Sequence, residues 1–416
     1  MKACIRGGNW TNSSDAGVSA MNLNNTRTNS NNNVGGRDCV SKPETTTVDT
    51  GNIGMCCPAK SEIKNEESLF SNLNVERQAK SKKTKRVGFL FEKAFTMQNL
   101  YLAFLDARKG KRKKRSTLKF EINLGAQLKA LHEELHSQNY EPRDYIQFYV
   151  YEPKKRLISA PAFRDLVVQH AIYRVIYTIF DSSFIDTSYA CRKGGGTHKA
   201  SVYTQNEMRK YSGENYFVKM DIKKFFYSID RDILRSMFEK KIKDVRFVDM
   251  MCKFSQMKEP AGIPIGNLLS QIYALTYMNA IDHFIKRELK AKSYVRYVDD
   301  FMVVGVSLEE AKHIKDACEK FAQEKLNLQY SHWHIQKIKR GINFVGYRTW
   351  KSIKFVRKHS IYKMKRAIKK LKIESIISLI GHAVSTGTMK YYKRLLIGAD
   401  VFKLLPRRSQ SCLLNM

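Results

Sequence analysis

The chain has 416 residues, room for two or three ordinary domains, and its 43% hydrophobic share supports a real core and excludes wholesale disorder. Its 74 Lys+Arg against 39 Asp+Glu give a formal net charge of +35, which favours a polyanionic partner, nucleic acid above all, over a ribosomal-type or membrane-surface protein. No apolar run reaches the ~18 residues of a membrane span, and no signal-peptide core opens the chain, so no membrane partner is expected.

Residues 1–76 hold 7 Lys+Arg and 8 Asp+Glu, whereas residues 77–416 hold 67 and 31, a net of +36. The first stretch is poor in large apolar residues and rich in Asn, Ser, Thr and Gly, as in TRTNSNNNVGG at 26–36. Such a segment cannot bury enough surface to offset its backbone entropy, so a disordered leader is expected over 1–86. Basic runs follow at 80–86 (KSKKTKR) and 108–115 (RKGKRKKR), separated by an apolar segment of helical spacing. A folded region is therefore expected from Val87, with a basic rim facing phosphates.

Beyond the rim, helical periodicity covers residues 118–135 and 163–179, and short strands are expected at 146–151 and 216–222. A helix should run from about Asn267 to Leu289. The segment SYVRYVDDFMVVG at 293–305 reads as two apolar strands with an acidic pair between them, and after Lys351 the chain is basic and helical. No internal repeat occurs, and the pattern is α+β around a modest antiparallel sheet. The eight cysteines (4, 39, 56, 57, 191, 252, 318 and 412) lack metal-ligand spacing and read as reduced thiols, consistent with a cytoplasmic chain.

Asp299 and Asp300 carry the most information. Two acids inside an apolar hairpin would need costly burial, but at a tight turn both can face one site, where a divalent cation offsets their repulsion. Asp221 ends a second apolar strand, YFVKMD. Strands that deliver carboxylates at their ends suit two-metal chemistry with Mg²⁺, which prefers oxygen ligands and phosphates. The pair taken alone is equally compatible with ordinary turn chemistry.

The order VKMDIKKFFYSID (218–230), GIPIGNLLSQ (262–271) and YVDD (297–300) resembles the palm of a reverse transcriptase. Supporting blocks are KKRLISAPAFRDLVVQHAIYRVI (154–176), SYACRKGGGTHKA (188–200) and GINFVGYR (341–348). The likeness covers about 87–350 and is nearest to the group II intron-like bacterial and phage enzymes. It implies a right-hand polymerase fold: fingers and palm (an antiparallel sheet with packed helices) over 87–350, and a short helical thumb with tail over 351–416.

By position, the resemblance makes Asp221, Asp299 and Asp300 the catalytic acids and, with the Ile222 carbonyl, the ligands of two Mg²⁺ ions, Mn²⁺ being an alternative. Phe226 falls at the steric gate that selects deoxynucleotides. Lys154, Lys155 and Arg156 fall in the fingers block that holds the triphosphate, with Arg164 as an assistant. Arg192 and Lys193 lie in the glycine block against the template. Lys363, Lys365, Arg366, Lys369 and Lys370 would track the duplex backbone. The partners implied are an RNA template, a DNA or RNA primer and dNTPs.

Where most reverse transcriptases have Gln, Ile265 precedes Gly266, and Gln271 follows Ser270. This pattern resembles the diversity-generating retroelement enzymes, and it implies looser reading of the template, errors at template adenines and a small basic accessory protein. The rivals are a retron or unassigned group-II-like enzyme that copies faithfully, and an RNA-binding scaffold with an idle site. The general acid for pyrophosphate release stays open among His332, His334 and Lys337. Residues 1–38, with nine Asn, resemble the end of a variable protein encoded by a template repeat, so residues 1–86 are expected to lie mostly outside the enzyme.

Overall fold

A computed structural model describes residues 86–151 and 155–414. The expectations for Lys154 and for the leader up to residue 85 lie outside the described residues.

The first apolar segment is helical but broken. Helices Leu90–Ala94 and Met97–Ala107 meet at Thr96, whose extended backbone stops the first turn and whose hydroxyl accepts from Asn99 N at 3.2 Å. The helix expected over 118–135 is likewise two, Arg115–Ile122 and Leu124–His136, parted at Asn123, a poor helix former at φ −113°. Strands β1 (Ile146–Val150) and β2 (Arg156–Ala160) form an antiparallel hairpin, from Ile146 against Ala160 to Val150 against Arg156. Helix Phe163–Asp181 then runs through the core, buried on most of its sides against helices Met97–Ala107 and Leu268–His283.

The central sheet joins β3 (Tyr216–Ile222), β4 (Ser293–Tyr297), β5 (Asp300–Val306) and β6 (Tyr330–Lys337) in the order β4-β5-β3-β6, all antiparallel. On one face, Tyr294 and Arg296 reach Asp282 of helix Leu268–His283, and Trp333 lies under Lys315 of helix Leu308–Leu326. That face therefore carries the core, with Val218, Met220, Phe301 and Val303 buried in it. On the other face, Ser293 bonds to Glu207 of helix Thr197–Arg209, which covers the end of the sheet remote from the aspartates. Ser307 and Glu310 close a capping box that turns the chain from β5 into helix Leu308–Leu326.

A second sheet, β7 (Ile342–Phe344), β8 (Tyr347–Thr349) and β9 (Lys354–Val356), straddles the boundary expected at 350/351. The basic helical region therefore starts at helix Lys358–Lys369, followed by Ile373–Ala383, Thr388–Gly398 and Arg407–Leu414. The architecture is α+β, with helices packed around antiparallel sheets, as expected. Among the described residues no helix is long and apolar enough to cross a membrane.

Candidate active site

The three aspartates meet at one end of the central sheet. Asp221, near the end of β3, pairs in register with Asp300, the first residue of β5. Only Val298 and Asp299 form the turn, since Tyr297 of β4 pairs with Asp300. Val298 has φ 59°, a conformation that costs a β-branched residue on the order of 1–3 kcal/mol. Ile222 closes β3 with its side chain buried, and the register to β6 slips between Asp221 and Ile222.

Lys219, two residues before Asp221 on the same face, is ion-paired to Asp300 Oδ2 at 2.8 Å. Ser331 donates to Asp221 Oδ2 at 2.8 Å. Asp299 Oδ1 and Asp300 Oδ1 are buried and have no hydrogen-bond partner. Burial, reinforced by neighbouring Asp221, pushes the Asp299 carboxyl up to about 7. Burial also raises Asp300, to about 6, against the downward pull of Lys219.

Two orphaned carboxylate oxygens beside a third acid fit a hard, oxygen-seeking divalent cation. The trio expected as one metal site is aligned rather than closed: among the described residues no three His, Cys, Asp or Glu side chains form a ready cage. Lys219 engages Asp300 and Ser331 engages Asp221, and, beyond the effect of burial, Asp221 lies close enough to raise the pKa of both Asp299 and Asp300. A Mg²⁺ site that takes its remaining ligands from water and phosphate needs no such cage.

Arg156, the first residue of β2, is half-buried and within electrostatic reach of Asp299 and Asp221, which counter the lowering of its pKa by burial. Ile265 is buried, and its carbonyl accepts from Ser159 N of β2 at 2.7 Å. Gly266 has φ +113°, and a Cβ there would fall 2.8 Å from the Ser159 carbonyl oxygen. The Ile-Gly step is thus interlocked with the strand that carries Arg156. Asn267 caps the next helix, on whose first turn Gln271 sits half-buried. Phe226 is buried edge-to-face on Phe225 at 5.4 Å.

Two expected phosphate or template contacts are engaged elsewhere. Arg164 pairs with Glu134, which ties helix Phe163–Asp181 to helix Leu124–His136. Arg192 donates to Asp181 at 2.7 Å and to the carbonyls of Ile185 and Ser188, so this guanidinium clamps its own loop and is no free nucleic-acid ligand. In the same loop Gly195 N and Gly196 N donate to Arg192 O and Tyr189 O and cradle no phosphate. Lys193 remains exposed, its ammonium over the Tyr177 ring at 4.8 Å. Lys365, Arg366, Lys369 and Lys370 are exposed at helix Lys358–Lys369, and Lys363 is half-buried. Of the proton-donor candidates, exposed His332 lies in register with Asp221 and His334 with Lys219. Lys337 is ion-paired to Glu214 at 2.8 Å, at the far end of β6.

Sequence reasoning missed Lys219, Ser331, Arg296 and Asp282. The period-2 spacing of Lys219 from Asp221 signals it, and so does the charge of Arg296 inside the apolar run YVRYV. The partners Ser331 and Asp282 have no local signal.

Residues 151–349 match the family model described as reverse transcriptase (RNA-dependent DNA polymerase). The group II intron-encoded protein LtrA of Lactococcus lactis subsp. cremoris is 25% identical over 218 residues, 49% of this chain and 36% of that protein. The match thus spans about a third of that relative's length. Protein YkfC of Escherichia coli strain K12 is 24% identical over 298 residues, 60% of this chain and 76% of that protein. A structure of telomerase from Candida albicans with a fragment of telomeric RNA overlaps 63% of this chain and 55% of that chain, at 12% identity and a TM-score of 0.42.

Proposed function

We propose that this chain, which carries a reverse transcriptase domain over residues 151–349, is an RNA-directed DNA polymerase that extends a primer with dNTPs on an RNA template. The observation that carries the reading is the cross-strand pairing of Asp221 with Asp300, beside Asp299 on a two-residue turn, with two carboxylate oxygens lacking any partner. Asp221, Asp299, Asp300 and the Ile222 carbonyl would hold divalent cations, Mg²⁺ or in its place Mn²⁺, which when bound supply charge to the attacking and leaving oxygens of phosphoryl transfer.

The chain's own residues position the reactants. Arg156 faces the aspartates from the fingers hairpin, where a triphosphate bound between them would meet its guanidinium. Phe226 would stand against the sugar, and Ile265 with Gly266 would back the nascent base pair through the contact with β2. The exposed cations of helix Lys358–Lys369 would follow the duplex phosphates.

Within this class, the pattern Ile265-Gly266 with Ser270-Gln271 favours mutagenic copying of a template repeat, error-prone at adenines and assisted by a small basic protein, in the cytoplasm. An apolar Ile offers no amide hydrogen bond with which to orient template and base. The second reading is an unassigned group-II-like enzyme that copies faithfully, and the likeness to a group II intron-encoded protein fits that class.

The test is primer extension by the purified chain on an RNA template with Mg²⁺ and dNTPs, followed by cDNA sequencing. Extension that disappears in Asp300→Asn and on chelation supports the polymerase, and its absence in wild type on every template sinks it. Substitutions concentrated at template adenines select the mutagenic reading, and their absence selects the faithful one.

A further inference from the structure

The turn that presents Asp299 is held from beneath by a buried ion pair. The side chains of Arg296 and Asp282 are both 0% exposed. Asp282 Oδ2 accepts from Arg296 Nη2 at 2.6 Å, and its Oδ1 accepts from Arg296 Nε at 2.7 Å and from the Tyr294 hydroxyl at 2.6 Å. The remaining nitrogen, Nη1, donates to the carbonyl of Val298 at 2.9 Å. The Arg296 main chain is fixed as well: its N donates to Thr187 O at 3.0 Å, and its O accepts from Tyr189 N at 3.1 Å. Asp282 lies on the helix that begins just after Gly266, so one rigid element runs from the Ile-Gly step to the underside of the turn.

A buried ion pair is a weak source of stability, because desolvation offsets much of the attraction, and apolar replacements of similar volume are often neutral or better. What apolar side chains cannot do is donate to a turn carbonyl. This carbonyl belongs to a β-branched residue at φ 59°, a backbone state that such residues avoid. A hydrogen bond to this carbonyl opposes relaxation of the strained peptide that leads into Asp299.

We propose that Arg296, locked by Asp282 and Tyr294, is a positioning residue that fixes the Val298–Asp299 peptide and thereby aims the Asp299 carboxylate at its cation. For its catalytic consequence this rests on the polymerase reading; for its metal-binding consequence it does not.

The test uses the full chain and its double variant Asp282→Leu with Arg296→Met, which removes both buried charges together. Three properties are measured: thermal unfolding without metal, Mn²⁺ affinity by titration of free Mn²⁺, and steady-state primer extension. The expected result is a cooperatively folded variant whose unfolding temperature stays near wild type, because removing both buried charges offsets the partners lost by the Tyr294 hydroxyl and the Val298 carbonyl, with Mn²⁺ affinity and kcat each lowered by about 10–100-fold and little change in KM for dNTP. Adding Val298→Gly, which adopts positive φ without strain, should recover part of the Mn²⁺ affinity.

A folded double variant with wild-type Mn²⁺ affinity and kcat overturns the proposal. If the double variant does not fold, Arg296→Lys takes its place. It keeps the buried charge beside Asp282 but lacks the planar fork that reaches carboxylate and carbonyl together, so the same loss of Mn²⁺ affinity is expected. If wild type binds Mn²⁺ yet extends no primer, the polymerase reading falls, while weakened Mn²⁺ binding in the variants still upholds the positioning role.

Discussion

Asp299 carries a free-energy cost that a bound divalent cation would relieve. Its carboxyl is raised from 3.8 to about 7 by burial and by Asp221, and one of its oxygens has no partner. The sign of the linkage follows from the folded state holding its proton more tightly than the unfolded state. This contribution to stability is full below about 3.8 and is lost as pH rises through about 7. Metal-free Asp299→Asn should therefore exceed wild type in stability by about 1–2 kcal/mol at pH 8, a figure held down by solvent screening of a partly exposed group, and should match it near pH 4. Saturating Mg²⁺ should close the gap by stabilising wild type alone, as RT ln(1 + [L]/Kd) requires. Thermal unfolding at the two pH values, with and without Mg²⁺, measures all four quantities, and a variant less stable than wild type at pH 8 would refute the assignment. Lys219 sharpens the contrast, since it partly neutralises Asp300 and leaves Asp299 as the less compensated acid.

At the scale of elements, the parts legible in the sequence were those with local signals. Strand β3 lies where its apolar run ends in Asp221, and the YVDD hairpin forms where two apolar strands flank a turn. Breaks inside apolar periodicity were lost: Thr96 and Asn123 interrupt helices whose apolar spacing continues past them. Strand β6 escaped because its edge position leaves His332, Trp333 and His334 exposed, so no apolar alternation marks it. The engagement of Arg164 and Arg192 was hidden because their partners lie on other elements or are main-chain carbonyls. The contact of β8 with helix Ile373–Ala383 was equally hidden. There the Tyr347 hydroxyl sits 3.2 Å from His198 Nδ1 and 3.0 Å from His382 Nδ1 and donates to the His382 carbonyl at 2.8 Å. Burial pushes His382 down to about 4 and also lowers His198. Both imidazoles take up a proton less readily in the folded than in the unfolded state, so their share of stability is intact above the unfolded value of 6.5 and is lost as pH falls, for His382 towards about 4. Hydrogen exchange in helix Ile373–Ala383 should therefore accelerate between pH 6.5 and 5 relative to helix Arg231–Glu239, which carries no histidine, once corrected for intrinsic rates. Equal protection of the two helices across that range would contradict the role of the cluster.

Over the whole molecule, charge and site form one arrangement. Residues 77–416 carry a net charge of +36, so on the proposed reading template and primer would be attracted by the basic surface, while the acids would repel phosphate until cations neutralised them. Binding of the duplex and binding of the metal should for that reason respond differently to salt. Neutralised phosphates release counterions, so affinity falls with log[salt] at about 0.9 per contact on a duplex. Metal binding at buried carboxylate oxygens is screened far less. Replacing the exposed Lys365, Arg366, Lys369 and Lys370 by Ser should lower the salt slope of primer–template affinity by about 2–4. Because none of the four touches an aspartate, kcat at saturating primer–template should stay at the wild-type value. Fluorescence anisotropy of a labelled primer–template from 50 to 300 mM KCl, as the order-of-magnitude range over which such contacts are read, gives the slope. An unchanged slope with wild-type affinity would move the duplex away from this helix and onto the basic rim at 108–115, whose residues 112–115 are also exposed.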